Sequence, residues 1–159
     1  MRNLLSLELL DRLKRHVLEG EAANEASART IAGAGTAAAP YVIDAVPFVD
    51  VGDTRTGGES RLSRYDGCRA AQDESGRELV YVLKLTEPKT LRISVHSREG
   101  VDVDVHLLAG SAESSACIER DHKVIARSLQ PGVYFVVVDT FVSGGAPLAG
   151  ELVLTVLDT

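Results

Sequence analysis

Val101-Asp102-Val103-Asp104-Val105-His106-Leu107-Leu108 decides the fold. Apolar and polar side chains alternate along it, and successive side chains of an extended chain point to opposite faces. Val101, Val103, Val105 and Leu107 therefore line one face of a strand, and Asp102, Asp104 and His106 the other. The same period of two recurs on both sides of this stretch. It predicts strands over 41–50, 79–85, 90–96, 101–108, 123–128, 133–139 and 151–157, most of them rich in β-branched and apolar residues. Turn residues separate several of them: Glu87-Pro88-Lys89, Ser97-Arg98-Glu99-Gly100 and Gln130-Pro131-Gly132. Strands spaced about ten residues apart, with no helical pattern between them, indicate an antiparallel sandwich or barrel rather than βαβ units. The expected class is all-β, a jelly-roll-like antiparallel β-sandwich. Two stretches, 52–78 with Cys68 and 109–120 with Cys117, read as long loops.

Upstream of Tyr41 the period changes to 3.6. Leu9, Leu10, Leu13 and Val17 recur at helical spacing, with Glu8, Arg12, Arg15 and Glu19 on the opposite face, which predicts an amphipathic helix over 4–19. A weaker Ala-rich helix is expected from Glu21 to Ala32, and Gly33 to Pro40 reads as a linker. The chain thus divides into a helical arm with linker, 1–40, and a β-sandwich, 41–159. An isolated helix of this length is marginal in water, so the leucine face needs a cover, either the sandwich itself or a second copy.

The 159 residues carry a formal charge of −6, which argues against nucleic acid, since phosphate binding needs a concentrated cationic face. Charges within 1–40 cancel, so the negative excess lies in 41–159. No apolar run approaches the roughly 20 residues of a membrane span. Glu8 and Asp11 break the apolar run that begins at Leu4, so no intact signal peptide is expected. Two cysteines without CxxC spacing are too few for an all-cysteine zinc site. They are either two small core thiols or a disulfide closing a loop of roughly 50 residues.

An ordered set of short matches along residues 46–157, about two thirds of the chain, resembles the bacterial pre-peptidase C-terminal domain. These are Val46-Pro47-Phe48 with Gly52-Asp53-Thr54, Tyr65 and Cys68, and Gly76-Arg77-Glu78-Leu79-Val80-Tyr81 leading to Thr90-Leu91-Arg92-Ile93. The D-x-D strand at Asp102 and Asp104, the L-x-P-G-x-Y hairpin from Leu129 to Tyr134, and a closing strand from Leu152 to Val156 complete them. Arg77 stands where the family commonly has Pro, and the helical arm is outside the family pattern. The resemblance implies a β-sandwich appended to exported proteins, secreted or periplasmic, with a Cys68–Cys117 bridge and Tyr134 facing inward.

Asp102 and Asp104 are candidate oxygen ligands for Ca²⁺, with Asp139, or Asp50 and Asp53, completing a shell. The alternative is a solvated face, or carboxylates bonded to nearby amides. His16, His96, His106 and His122 offer chance pairings with serines, but no G-x-S-x-G elbow accompanies them, so no catalytic residues are expected. Glu119-Arg120-Asp121-His122-Lys123 reads as a solvated loop. Gly33-Ala34-Gly35 follows a helical pattern instead of a strand and is not a dinucleotide fingerprint. With no Trp, four Tyr and three Phe, sugar-stacking platforms have little support.

The expectation is a non-catalytic accessory module, without a required cofactor, that attaches to a surface, a partner protein or a parent enzyme. One alternative is a self-assembling extracellular subunit that docks through Leu9, Leu10, Leu13 and Val17. A calcium-dependent adhesion module is the weaker one.

Overall fold

The computed structural model describes residues 31–159. The helix expected over 4–19, its face of Leu9, Leu10, Leu13 and Val17, and nearly all of the expected second helix lie outside the described residues.

The described chain runs β1 (Tyr41–Ile43), β2 (Phe48–Asp53), β3 (Glu78–Leu85), β4 (Lys89–Ser97), β5 (Val103–Ala109), β6 (Cys117–Asp121), β7 (Val124–Leu129), β8 (Gly132–Thr140), β9 (Val142–Ser143), β10 (Ala146–Pro147) and β11 (Glu151–Asp158). Two sheets form, ordered β1-β3-β8-β5-β6 and β2-β11-β4-β7, beside a small β9–β10 hairpin. All pairings are antiparallel except β1 with β3. The sequence therefore builds an all-β sandwich.

Alternation sets what lies between the sheets. Leu79, Tyr81 and Leu83 of β3, Val103, Val105 and Leu107 of β5, and Tyr134, Val136 and Val138 of β8 meet Leu91, Ile93 and Val95 of β4 and Leu152, Leu154 and Val156 of β11 in one buried cluster. Each such side chain contributes roughly 1.5–3 kcal/mol on leaving water. An acid facing into this layer, Asp50 of β2, accepts a hydrogen bond from the Tyr81 hydroxyl across the sandwich (2.7 Å). Tyr134 is buried, as the resemblance implied, and its hydroxyl donates to the Gln130 carbonyl at 2.8 Å.

Three expectations need correcting. The single strand over 41–50 is two strands in different sheets, because Pro47 has no N–H to carry a ladder onward. The loop read over 109–120 ends in β6, an edge strand whose charged sequence Cys-Ile-Glu-Arg-Asp hides the period of two. The linker read over 33–40 is packed onto the sandwich. Gly35 O accepts from Val80 N (2.9 Å), Ala32 O from Val42 N (2.9 Å), and Ile31 packs against the core. Gly35 allows this close approach because its φ is +72° and a Cβ there would strike the Tyr41 ring.

A buried acid cluster as candidate functional site

The outer face of the five-stranded sheet is also buried, and by other means. Register stacks its side chains in three cross-strand rows. Glu78, Asp139 and Asp104 form the first; Val80, Val137, His106 and Arg120 the second; Val82, Phe135, Leu108 and Cys117 the third. The long segment between β2 and β3 folds over these rows. Leu62, Tyr65 and Ala70 from it join Val80, Leu108, Val137, Ala112 and Cys117 in a second apolar cluster. A Cys68–Cys117 disulfide, with Cα atoms 5.2 Å apart, fastens this cover to the start of β6. Arg61 reaches Glu113 (3.1 Å) and the Ala112 carbonyl, and Asp66 N donates to Ser114 Oγ (2.8 Å), so the two loops are joined by polar contacts besides the bridge.

Under the cover lies a dense set of ionisable groups. The Tyr65 ring stacks on His106 at 3.5 Å between centroids, and its hydroxyl donates to Asp139 Oδ2 at 2.6 Å. Glu78 accepts from the amides of Arg61 (2.9 Å) and Leu62 (3.1 Å). Glu74 descends from the cover and is fully shielded, with Oε1 4.0 Å from both Arg120 Nη2 and His106 Nε2. Neither Glu74 oxygen meets a donor, and neither His106 ring nitrogen has a hydrogen-bond partner. Arg120 pairs with Asp104, and His122 Nδ1–H donates to Asp104 Oδ1 at 2.7 Å, with Asp102 Oδ1 at 3.4 Å from the same nitrogen.

Removing charge from water disfavours the charged form, and that governs this layer. Burial raises Glu74 to about 8, helped by a hydrogen bond to Asp104 and the nearby Asp104 charge and opposed by Arg120. Burial raises Glu78 to about 7 against its two amide donors. It raises Asp139 and Tyr65 well above their usual ranges. It lowers His106 to about 3, which keeps the imidazole neutral at physiological pH. A Glu74 that keeps its proton resolves its own orphaned state, since a carboxylic acid can donate to Asp104.

The sequence placed Asp104 and His106 on one face correctly, but the face is not solvated. The Glu119–Lys123 run is no solvated loop either. Arg120 and His122 turn onto Asp104, Lys123 Nζ donates to the Val103 carbonyl (3.2 Å), and Asp121 accepts from the amides of Lys123 and Val124. Among the described residues, Asp139, Asp50 and Asp53 do not join Asp102 and Asp104 in one donor cluster. Asp139 is held by Tyr65, Asp50 by Tyr81, and Asp53 by Arg55 (2.6 Å), while Asp104 already faces the Arg120 cation. Ca²⁺ takes about six to eight oxygens, and one of the two aspartates, Asp104, is already paired with Arg120. Asp102, Asp104 and His122 do bring three donor atoms within 4.8 Å of one another. Glu74 escaped the sequence reading because one acid in Asp73-Glu74-Ser75 has no period to expose it.

A separate open groove of about 570 Å³ runs between Thr54, Arg55, Ser75, Arg77, Val142 and Pro147. Its two arginines are engaged, Arg55 with Asp53 and Arg77 with the carbonyls of Gly57 and Gly58.

No family model matches this sequence, and no curated protein matches it. Solved structures do. The chain is similar to the pre-peptidase C-terminal domain of collagenase from Bacillus anthracis, with 15% identity, TM-score 0.45, and coverage of 69% of this chain and 88% of that one. It is similar to Aeromonas hydrophila PliG, a periplasmic inhibitor of g-type lysozyme, with 12% identity, TM-score 0.45, and coverage of 72% and 85%. A weaker likeness, 11% identical with TM-score 0.31, spans 18% of a Paenibacillus cycloisomaltooligosaccharide glucanotransferase. At these identities the likeness is one of fold.

Proposed function

We propose that this chain is a non-catalytic binding module of exported proteins, which attaches to a surface, a partner protein or a parent enzyme through its loops. The observation that carries this reading is the disulfide-fastened cover. A Cys68–Cys117 bridge persists where thiols are oxidised, outside the reducing cytosol. The side chains with the most altered acidity, Glu74, His106, Tyr65 and Asp139, are fully shielded beneath it. Their role in this reading is to hold the cover in one shape, leaving Arg64, Asp66 and Glu113 displayed on its surface. Rigid loops presented by a rigid sandwich suit recognition rather than turnover.

The test combines location with thiol chemistry. Protein taken without reductant from the cells that make it is fractionated and titrated for thiols in denaturant. An envelope or medium fraction with no reactive thiol supports the reading. A cytosolic protein with two reactive thiols overturns it.

A further inference from the structure

The segment 71–77 between the disulfide and β3 has a single buried side chain, that of Glu74; Gly76 is shielded but offers none. Its backbone is tied by Glu74 N to the Ser63 carbonyl (3.0 Å), by Val142 N to the Asp73 carbonyl (2.8 Å), and by Thr140 Oγ1 to the Arg77 carbonyl (2.8 Å). Gln72, Asp73 and Ser75 face solvent. The flap is therefore seated on the sheet by one inserted carboxyl.

What that carboxyl meets is predominantly acidic. Asp104 on β5 can accept only from its protonated form, and Asp102 just before β5 adds a second charge. Asp139 on β8 and Glu78 on β3 complete the cross-strand row beside it. On the cationic side stand Arg120 on β6, at 4.0 Å but already paired with Asp104, and Lys123, whose ammonium contacts the Val103 carbonyl. His122 donates to the far oxygen of Asp104, and His106, stacked on Tyr65 of the cover, is neutral. A neutral Glu74 donates into this set; an ionised Glu74 adds a negative charge to it with no donor of its own.

We infer that Glu74 is a proton-operated plug, and that the flap 71–77 is shut when Glu74 is protonated and lifts from the sheet when it ionises. The Cys68 bridge on one side and β3 on the other keep the lifted flap attached. Lifting uncovers Asp104, His106 and Arg120 as a polar pocket on an otherwise intact sandwich. Burial places the transition slightly alkaline, near the value of about 8 reached by Glu74.

The experiment is an NMR titration of backbone amides from pH 6 to 9.5 on the full chain and on Glu74→Gln and Glu74→Ala. In the wild type, amides of 71–77 shift or broaden with one midpoint near pH 8, while β4 and β11 stay unchanged. Glu74→Gln keeps the shape and a donor, so its flap stays shut across the range. Glu74→Ala removes the plug, so its flap is mobile already at pH 6. A wild-type flap that does not change across the range overturns the proposal. So does a Glu74→Gln chain that titrates with the wild-type midpoint.

Discussion

The two faces of the five-stranded sheet are both buried, yet they are buried by different physics. The inner face sends Leu79, Val105, Leu107, Val136 and Val138 against a second sheet, and apolar area accounts for its stability. The outer face sends Glu78, Asp104, His106 and Asp139 under a loop layer. Buried polar groups cost free energy unless bonded, and here several are bonded to one another and several are not. The inner face depends mainly on shape, with the Tyr81–Asp50 hydrogen bond as its polar element. The outer face needs a covalent fastener and a particular protonation state. That difference assigns robustness to one side of the sheet and responsiveness to the other.

The largest effects should separate the faces most sharply. Leu154→Ala opens a cavity between the sheets and is expected to cost about 3 kcal/mol, lowering the denaturation midpoint of the whole domain. Replacing both Cys68 and Cys117 with Ser removes a link across 49 residues of separation and is expected to cost about 4 kcal/mol on the chain-entropy account. The two losses are similar in size but differ in place. Hydrogen exchange should rise throughout the sandwich in Leu154→Ala. In the double serine variant it should rise first in 57–77 and 110–117, with β4 and β11 protected. Equal exposure of both sheets in the serine variant would show that the cover and the core are one cooperative unit.

This contrast also explains what the sequence could disclose. The inner face was legible because alternation is a geometric rule, so Val103, Val105 and Leu107 declared their side without any partner known. The strands at 79–85, 90–96, 133–139 and 151–157 were found within a residue or so of each end for the same reason. Asp104 and His106 were assigned to the right face, but their burial depends on a loop that has no period. Tyr65 and Glu74 come from that loop, and only the bridge at Cys68 hints that it returns to the sheet. β6 was lost because an edge strand with Glu119, Arg120 and Asp121 pays for solubility with its pattern. The segment 33–40 was read as linker because small residues signal flexibility, whereas here they permit close packing beside β3.

Stability against pH should expose the outer face next. Glu74 and Glu78 have folded values raised to about 8 and about 7, above their unfolded values near 4.5. Their contribution is therefore fully present below 4.5 and is lost progressively as pH rises from there through 7 and 8. His106 is lowered to about 3 from 6.5, so its contribution is present above pH 6.5 and is lost on acidification. Between pH 6.5 and 8 the carboxyls dominate, against a smaller gain as the unfolded-state imidazole of His106 loses its proton, and stability should fall by on the order of 2 kcal/mol. Urea midpoints at pH 6.5 and 8 check this. An optimum at or above pH 8 would mean that the acids are ionised in the folded state and compensated by something other than protons.

A further expected effect tests where the sandwich begins. A chain starting at Ile31 keeps every contact described for the segment 31–40, whereas one starting at Tyr41 loses Ile31 and the bonds from Val80 N to Gly35 O, from Val42 N to Ala32 O and from Ala37 N to Glu59 Oε1. Net hydrogen-bond contributions of about 1 kcal/mol each put the difference between these two chains at about 3 kcal/mol at most, seen as several degrees in Tm. Light scattering on the full chain and the Ile31 chain then isolates the arm. A larger full chain beside a monomeric shorter one makes Leu9, Leu10, Leu13 and Val17 an assembly face, and two monomers leave the binding-module reading in place. The start at Ile31 matters to that result, because a chain cut at Tyr41 bares the β1 edge and the side of β3. Self-association of that shorter chain would report an exposed sheet edge, a known route to pairing between copies, and would say nothing about the arm.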